Sequence, residues 1–361
     1  MKKLLPAAVT LLMISLSFLF SAVRAAPQKE LNLLCWVSYE ERAMLEPFEK
    51  KYNVKVKYKT FVSDDQMYAL MASSKNQYDV VTLGPEYVEK LHKIGRLAPL
   101  NPADYNFKDY IKPFQKFPMC WPDGKLYAVI DGYGANALLY NTNHITAKDV
   151  ETYDILWSPK VKGKVGIWDW YLPTMGTLSS AIGNNANPTN LSNRKFQVLE
   201  KRLMDLRPQV AAVFGSPSEL TSAVANDQVW IVPGCGEWIA AIVKEQGKPV
   251  DWAVPKTGGQ MWIEALAMPN DAPHPDVAKL YIQWMQTPEA QKLKSERKAY
   301  NCNVPNIRAY DLMSKAHKDA LKIHNESEAV ALVNKLAIRR LPAQQPETQW
   351  QDAWQKFKAA R

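Results

Sequence analysis

Short apolar strand patterns alternate with amphipathic helix patterns along almost the whole chain. That alternation confines the fold to a parallel or mixed sheet with helices on both faces. Leu31-Asn32-Leu33-Leu34-Cys35-Trp36 reads as a buried strand. The helix after it carries Met44, Leu45, Phe48 and Tyr52 on one side, and Pro47 should kink or delay it. Val54, Val56 and Tyr58 alternate in the next strand. Ser63-Asp64-Asp65-Gln66 has the form of a capping box, opening a helix with Met67, Leu70 and Met71. Tyr78 to Leu83 is a further strand, and Pro85 to Ile94 a helix stopped at Gly95. In the second half, Lys164 to Trp168 is a strand running into a loop, Asp169 to Gly176, rich in aromatic and turn residues. Ser216-Pro217-Ser218-Glu219 combines an N-cap, a first-turn proline and a capping-box glutamate. Val229 to Val232 is a strand ended by Pro233-Gly234, and Ala265 to Met268 another. The helix that follows turns Val277, Leu280, Tyr281, Trp284 and Met285 inward, and Thr287-Pro288 caps its successor. With no repeat and no Gly/Ser linker, two α/β lobes joined by continuous strands are expected.

The N-terminus reads as an export signal. Met1-Lys2-Lys3 is followed by an uncharged apolar run from Leu4 to Phe20, and Ser21 to Ala26 offers small residues for cleavage after Ala25. Residues 1–25 are therefore expected to be a signal peptide, removed on export to the periplasm. The competing reading, an uncleaved anchor, would need that run to span a bilayer, and it sits at the short end for that. No cysteine at the cleavage point supports a lipid anchor.

Losing Lys2, Lys3 and Arg24 takes the formal charge from +9 to +6. The remaining basic residues are scattered, with no basic face and no nucleic-acid module, so the charge bears on solubility and not on a ligand. Four cysteines (Cys35, Cys120, Cys235, Cys302) in an exported chain predict at least one disulfide, with three complete pairings open. The five histidines (His92, His144, His274, His317, His324) lack metal-ligand spacing and are expected at the surface. With no G-x-S-x-G and no H-E-x-x-H, the chain does not read as an enzyme, and no cofactor or metal is implied. The enzyme alternative is a cysteine nucleophile at Cys235.

Several ordered segments resemble the periplasmic spermidine/putrescine-binding proteins, class II solute-binding proteins of ABC importers. They are Leu33-Leu34-Cys35-Trp36-Val37-Ser38-Tyr39, Tyr78-Asp79-Val80-Val81, Val88-Glu89-Lys90-Leu91 and Tyr127 to Asn141. Leu156-Trp157-Ser158-Pro159 with Lys162-Gly163-Lys164 follows, then Pro255-Lys256-Thr257-Gly258-Gly259 leading into Trp262-Ile263-Glu264. The resemblance implies an α/β, two-lobed periplasmic-binding-protein-like fold, class II, with a ligand cleft between lobes joined by crossover strands. One lobe would hold residues 27–132 and 261–305, the other 133–260 and 306–361. It also implies a monomer that closes on a small molecule and delivers it to an inner-membrane ABC permease.

In that family aromatic walls hold a polyamine's methylene stem and carboxylates hold its ammonium ends. Trp36, Tyr39, Tyr87, Asp169, Trp262 and Tyr300 fall on family site positions of the same type, and Glu264 replaces an aspartate. Leu172 stands where a glutamate is usual, Glu86 opens a usual Tyr-Tyr pair, and Pro233 sits near a usual cleft tryptophan, with Glu237 and Trp238 close behind. The expected ligand-binding set is thus Trp36, Tyr39, Glu86, Tyr87, Asp169, Glu237, Trp262, Glu264 and Tyr300. Asp169 and Glu264 are expected to oppose each other across the closed cleft, each on one ammonium. A polyamine or other small organic cation is the expected ligand, and an amino-acid derivative, zwitterion or organic anion the alternative.

Overall fold

The computed structural model describes residues 28–360, so the proposed signal peptide lies outside the described residues. Among the described residues ten strands form one sheet: β1 (Lys29–Trp36), β2 (Val54–Phe61), β3 (Val80–Leu83), β4 (Ala128–Asn141), β5 (Val165–Trp168), β6 (Val210–Phe214), β7 (Ile231–Cys235), β8 (Val250–Ala253), β9 (Gly259–Ala267) and β10 (Leu336–Ile338). The order is β2-β1-β3-β9-β4-β7-β5-β6, with β10 on β9 and β8 on β4. β1 runs parallel to β2 and β3, β5 parallel to β6 and β7, and the antiparallel pairs lie where β9 and β4 join the two parallel sets.

β4 makes the connection between lobes. Its first part, Ala128 to Asn136, pairs with β9, while Ala137 to Tyr140 pairs with β7 and Leu138 to Asn141 with β8. All fourteen of its residues are buried, as expected of a strand covered on both faces. The pairing with β9 shifts between Ile130 and Gly132, a bulge that leaves Asp131 as the extra residue. The C-terminal helix Glu347–Ala359 packs Trp350, Trp354 and Phe357 into the core around β5.

Several local expectations come out differently. The helix Arg42–Tyr52 starts before Pro47 and continues past it. Gln66 reaches back to the Val62 N–H (3.0 Å), one residue before the capping Ser63, which accepts from Gln66 N–H. The expected loop at 169–176 is mostly the first turns of the helix Tyr171–Ala181, because Pro173 falls in the first turn, where its missing N–H costs no helical bond. β7 continues through Pro233 and Gly234 to Cys235. The capping box at Ser216 forms in both directions, with Glu219 Oε2 accepting from the Ser216 N–H.

The expected disulfide is absent: all four cysteines are buried free thiols. They sit on four separate segments, β1, the 118–120 turn, β7 and the 301–306 loop. His317 is not at the surface either. It is buried, with Nε2 2.9 Å from the Ser295 hydroxyl and Nδ1 3.1 Å from Glu245.

Candidate functional site

A cavity of about 570 Å³ opens between the two halves of the sheet. Trp36 enters it from the end of β1, Trp168 and Trp170 from the end of β5, Trp262 and Glu264 from β9, and Tyr300 from the loop after the helix Pro288–Ser295. The rings form pairs: Trp36 and Trp170 lie 5.8 Å apart between centroids, Trp262 and Tyr300 5.5 Å. The first turns of the helix Pro217–Ala225 supply a polar side.

Backbone parity decides the outcome at 168–170. Successive side chains of an extended segment point to opposite sides, so Trp168 and Trp170 face the cavity together and Asp169 points away. Asp169 accepts from Trp354 Nε1 (2.9 Å) and Lys358 Nζ (2.9 Å), tying the C-terminal helix to β5. It does not line the cavity and does not oppose Glu264 there.

Glu264 belongs to a buried charge cluster. Lys294 Nζ donates to Glu264 Oε2 (2.8 Å) and pairs with Asp131 (2.8 Å); it also bonds the Tyr39 hydroxyl. That hydroxyl lies 2.7 Å from Glu264 Oε2 and 3.0 Å from Asp131 Oδ2. Arg297 Nη2 is 3.7 Å from the same Glu264 oxygen. Burial pushes the Glu264 carboxyl up, but Lys294 and Arg297 beside it hold it below its ordinary value, so it is ionised. These contacts all fall on Oε2, which leaves Oε1 as the carboxylate's acceptor for something else. The bulge at Asp131 and the glycine at 132 make the cluster possible, since a Cβ on Gly132 would overlap the Lys294 side chain.

Glu86 and Tyr87 lie behind the wall. Arg339 Nε donates to Glu86 (2.7 Å), and its Nη2 is 3.9 Å from buried Asp64. Burial, then Glu86 beside it, pushes the Asp64 carboxyl up to about 7. The Arg339 guanidinium lies over the Trp170 ring and reaches the cavity. The Tyr87 hydroxyl donates a hydrogen bond to Asp65 (2.9 Å). Glu237 is fully buried, with both oxygens on the Ala135 N–H, and burial pushes its carboxyl up to about 8. Trp238 stacks on Tyr300 from behind, centroids 4.8 Å apart.

Of the nine expected residues, the structure brings Trp36, Trp262, Glu264 and Tyr300 into the cavity wall, and Tyr39 into the cluster that holds Glu264. Glu86, Tyr87, Asp169 and Glu237 lie outside the wall. Sequence reading missed Trp168, Trp170, Glu40, Lys294, Arg297 and Arg339. The alternation Trp-Asp-Trp held the signal for the first two. Lys294 shares the inward face of its helix with Ala290, Gln291 and Ser295, a face too polar for hydrophobic periodicity to mark.

Burial and Glu237 push the Cys235 thiol up, the opposite of what an attacking thiolate needs. The Ser295–His317–Glu245 chain has the partners of a hydrolytic triad, yet the serine is fully buried and donates to the Cys302 carbonyl (2.6 Å). It locks three helices together. Among the described residues no group of His, Cys, Asp and Glu could hold a metal.

The profile of the bacterial extracellular solute-binding proteins matches residues 43–322. The chain belongs to that family. A spermidine/putrescine-binding periplasmic protein of Escherichia coli strain K12 is 25% identical over 86% of this chain and 87% of its own length. A putrescine-binding periplasmic protein of Pseudomonas aeruginosa is 23% identical over 74% and 76%. Among solved structures, a spermidine/putrescine ABC transporter substrate-binding protein of Streptococcus pneumoniae superimposes with a TM-score of 0.75 at 19% identity, covering 91% of this chain and 98% of that one. This solute-binding protein therefore has the two-lobed fold of its family, and the cavity between the halves of its sheet occupies the place where two lobes meet.

Proposed function

We propose that this solute-binding protein is the exported receptor of an ABC importer and that it captures a small organic amine of the polyamine class. Glu264 carries the reading. It is an ionised carboxylate in the wall of an aromatic cavity, and its Oε1 takes none of the protein's own donors described above. An ammonium there gains a charge-assisted bond, and an alkyl stem lies against Trp36, Trp170, Trp262 and Tyr300. Each ammonium–ring contact adds roughly 0.5–2 kcal/mol. Polyamine-binding relatives support the ligand class, and their periplasmic location agrees with the signal-like N-terminus.

In this reading the lobes, 27–132 with 261–305 and 133–260 with 306–361, hinge closed on one ligand as a monomer and present it to an inner-membrane permease. A thermal-shift screen of the mature protein tests it, with putrescine, spermidine, amino acids and organic anions. Amines should raise the melting temperature in proportion to the logarithm of their concentration. Stabilisation by amine-free anions alone would overturn the amine assignment.

A further inference from the structure

Two kinds of unspent group meet in the cavity wall. Glu264 Oε1 and the buried, unpartnered Glu40 Oε2 are acceptors. Among the described residues Arg297 Nη2 and Trp262 Nε1 are donors without a hydrogen-bond partner, on side chains more than nine-tenths buried. Arg297 is otherwise held firmly, with Nε on the Lys294 carbonyl (3.0 Å) and Nη1 on the Ser38 hydroxyl (2.9 Å), so its third nitrogen is fixed beside Glu264, ion-paired at 3.7 Å but without a hydrogen bond. A buried donor left without a partner is destabilising. Arg297 and Trp262 both line the cavity, so a ligand acceptor that reached either donor would complete it. Arg339 brings a second guanidinium to the same cavity.

The charges of the wall agree. Glu40, Glu41 and Glu264 are matched by Arg297, Lys298 and Arg339, and behind them Lys294 is already the cation between Asp131 and Glu264. A dication entering this balanced wall would find its main carboxylate shared with an internal lysine and two guanidinium groups facing it. A molecule with separate positive and negative groups would fill both kinds of vacancy.

We infer that the ligand of this cavity is a zwitterionic amine: its ammonium meets Glu264 Oε1, and a carboxylate on the same molecule meets Arg297 and Trp262. The inference rests on the amine half of the reading above and departs from its polyamine class by adding an anionic group. Arg297 Nη2 lies 3.7 Å from Glu264 Oε2, so both poles sit close together, which favours a carboxylate near the amine carbon.

Matched compounds decide between these charges. Calorimetry of the mature protein compares 1,4-diaminobutane with ornithine, 1,5-diaminopentane with lysine, and agmatine with arginine, each pair differing by one carboxylate, and adds glutarate and adipate. The expected result is that the amino acid binds at least tenfold tighter than its decarboxylated partner in at least one pair. Trp262→Phe and Arg297→Lys should each cut that ratio at least threefold, with thermal unfolding reporting that the variants fold. Trp262→Phe keeps the ring and removes only the N–H, so it carries the test if the arginine variant does not fold. Diamines binding as tightly as their amino acids, or ratios unmoved in the folded variants, would overturn the zwitterion and leave the amine reading standing. Tightest binding of glutarate or adipate would overturn the amine reading and the zwitterion with it, leaving an anion site. Binding of none of these compounds would overturn both.

Discussion

Asp169 spends both oxygens on Trp354 and Lys358, while Glu264 keeps one oxygen clear of donors among the described residues. Substituting the charge of each should therefore have different consequences. Glu264→Gln removes a hydrogen bond to a charged group, worth about 1.5–3 kcal/mol, and so should weaken the ligand found by screening about ten- to a hundredfold. Asp169→Asn should leave its affinity within about twofold, because the residue faces the C-terminal helix. Titration calorimetry of both variants checks this, and a large loss in Asp169→Asn would return that residue to the site. Glu237 makes a prediction about pH. Burial lifts its carboxyl from 4.5 to about 8 in the folded protein, so the folded state holds a proton that the unfolded state releases. The contribution is present in full below about 4.5 and is lost as pH rises towards 8. Glu237→Gln keeps the acceptor for Ala135 and cannot ionise. Its melting temperature should fall less than the wild type's between pH 5.5 and 8.5, as calorimetry would read. Equal falls would mean that Glu237 does not titrate there.

At the scale of the element, β4 must carry two lobes and leave room for the site. A Cβ on Gly134 would overlap the Glu237 carboxylate and the Trp262 ring. Gly134→Ala should thus displace a cavity wall and overpack the crossover, at about 1–3 kcal/mol of stability, with weaker ligand binding. Urea unfolding and calorimetry of the variant measure the two losses, and neither should appear alone. Elements were legible in sequence where the signal is local. Ser216 to Glu219 caps its helix from side chains three residues apart, and Val54 and Val56 alternate inward in β2. Reading failed where local cues compete, as at Tyr171–Ala181, where aromatic and turn residues suggested a loop and burial of nearly the whole helix decided otherwise.

For the whole molecule, β4 and β9 pass between the halves of the sheet, and β9 lines the cavity through Trp262, Ile263 and Glu264. Hinge closure about such crossovers is a rigid-body motion of the lobes. Small-angle scattering should give a smaller radius of gyration at saturating ligand than without it. An unchanged radius would count against closure.

The alternating patterns by themselves determined the mixed α/β class and the continuous connection between lobes, because helix and strand periods are properties of neighbours along the chain. Trp36, Trp262, Glu264 and Tyr300 were legible as wall residues through ordered motifs. What each charge meets was decided only in three dimensions. Tyr39 and Glu264 are 225 residues apart and Lys294 and Tyr39 255, yet they share one buried cluster. A carboxylate's availability to a ligand depends on which cations fold against it. That pairing is set by the packing of β1, β4, β9 and the helix bearing Lys294, and no local pattern in any of them records it.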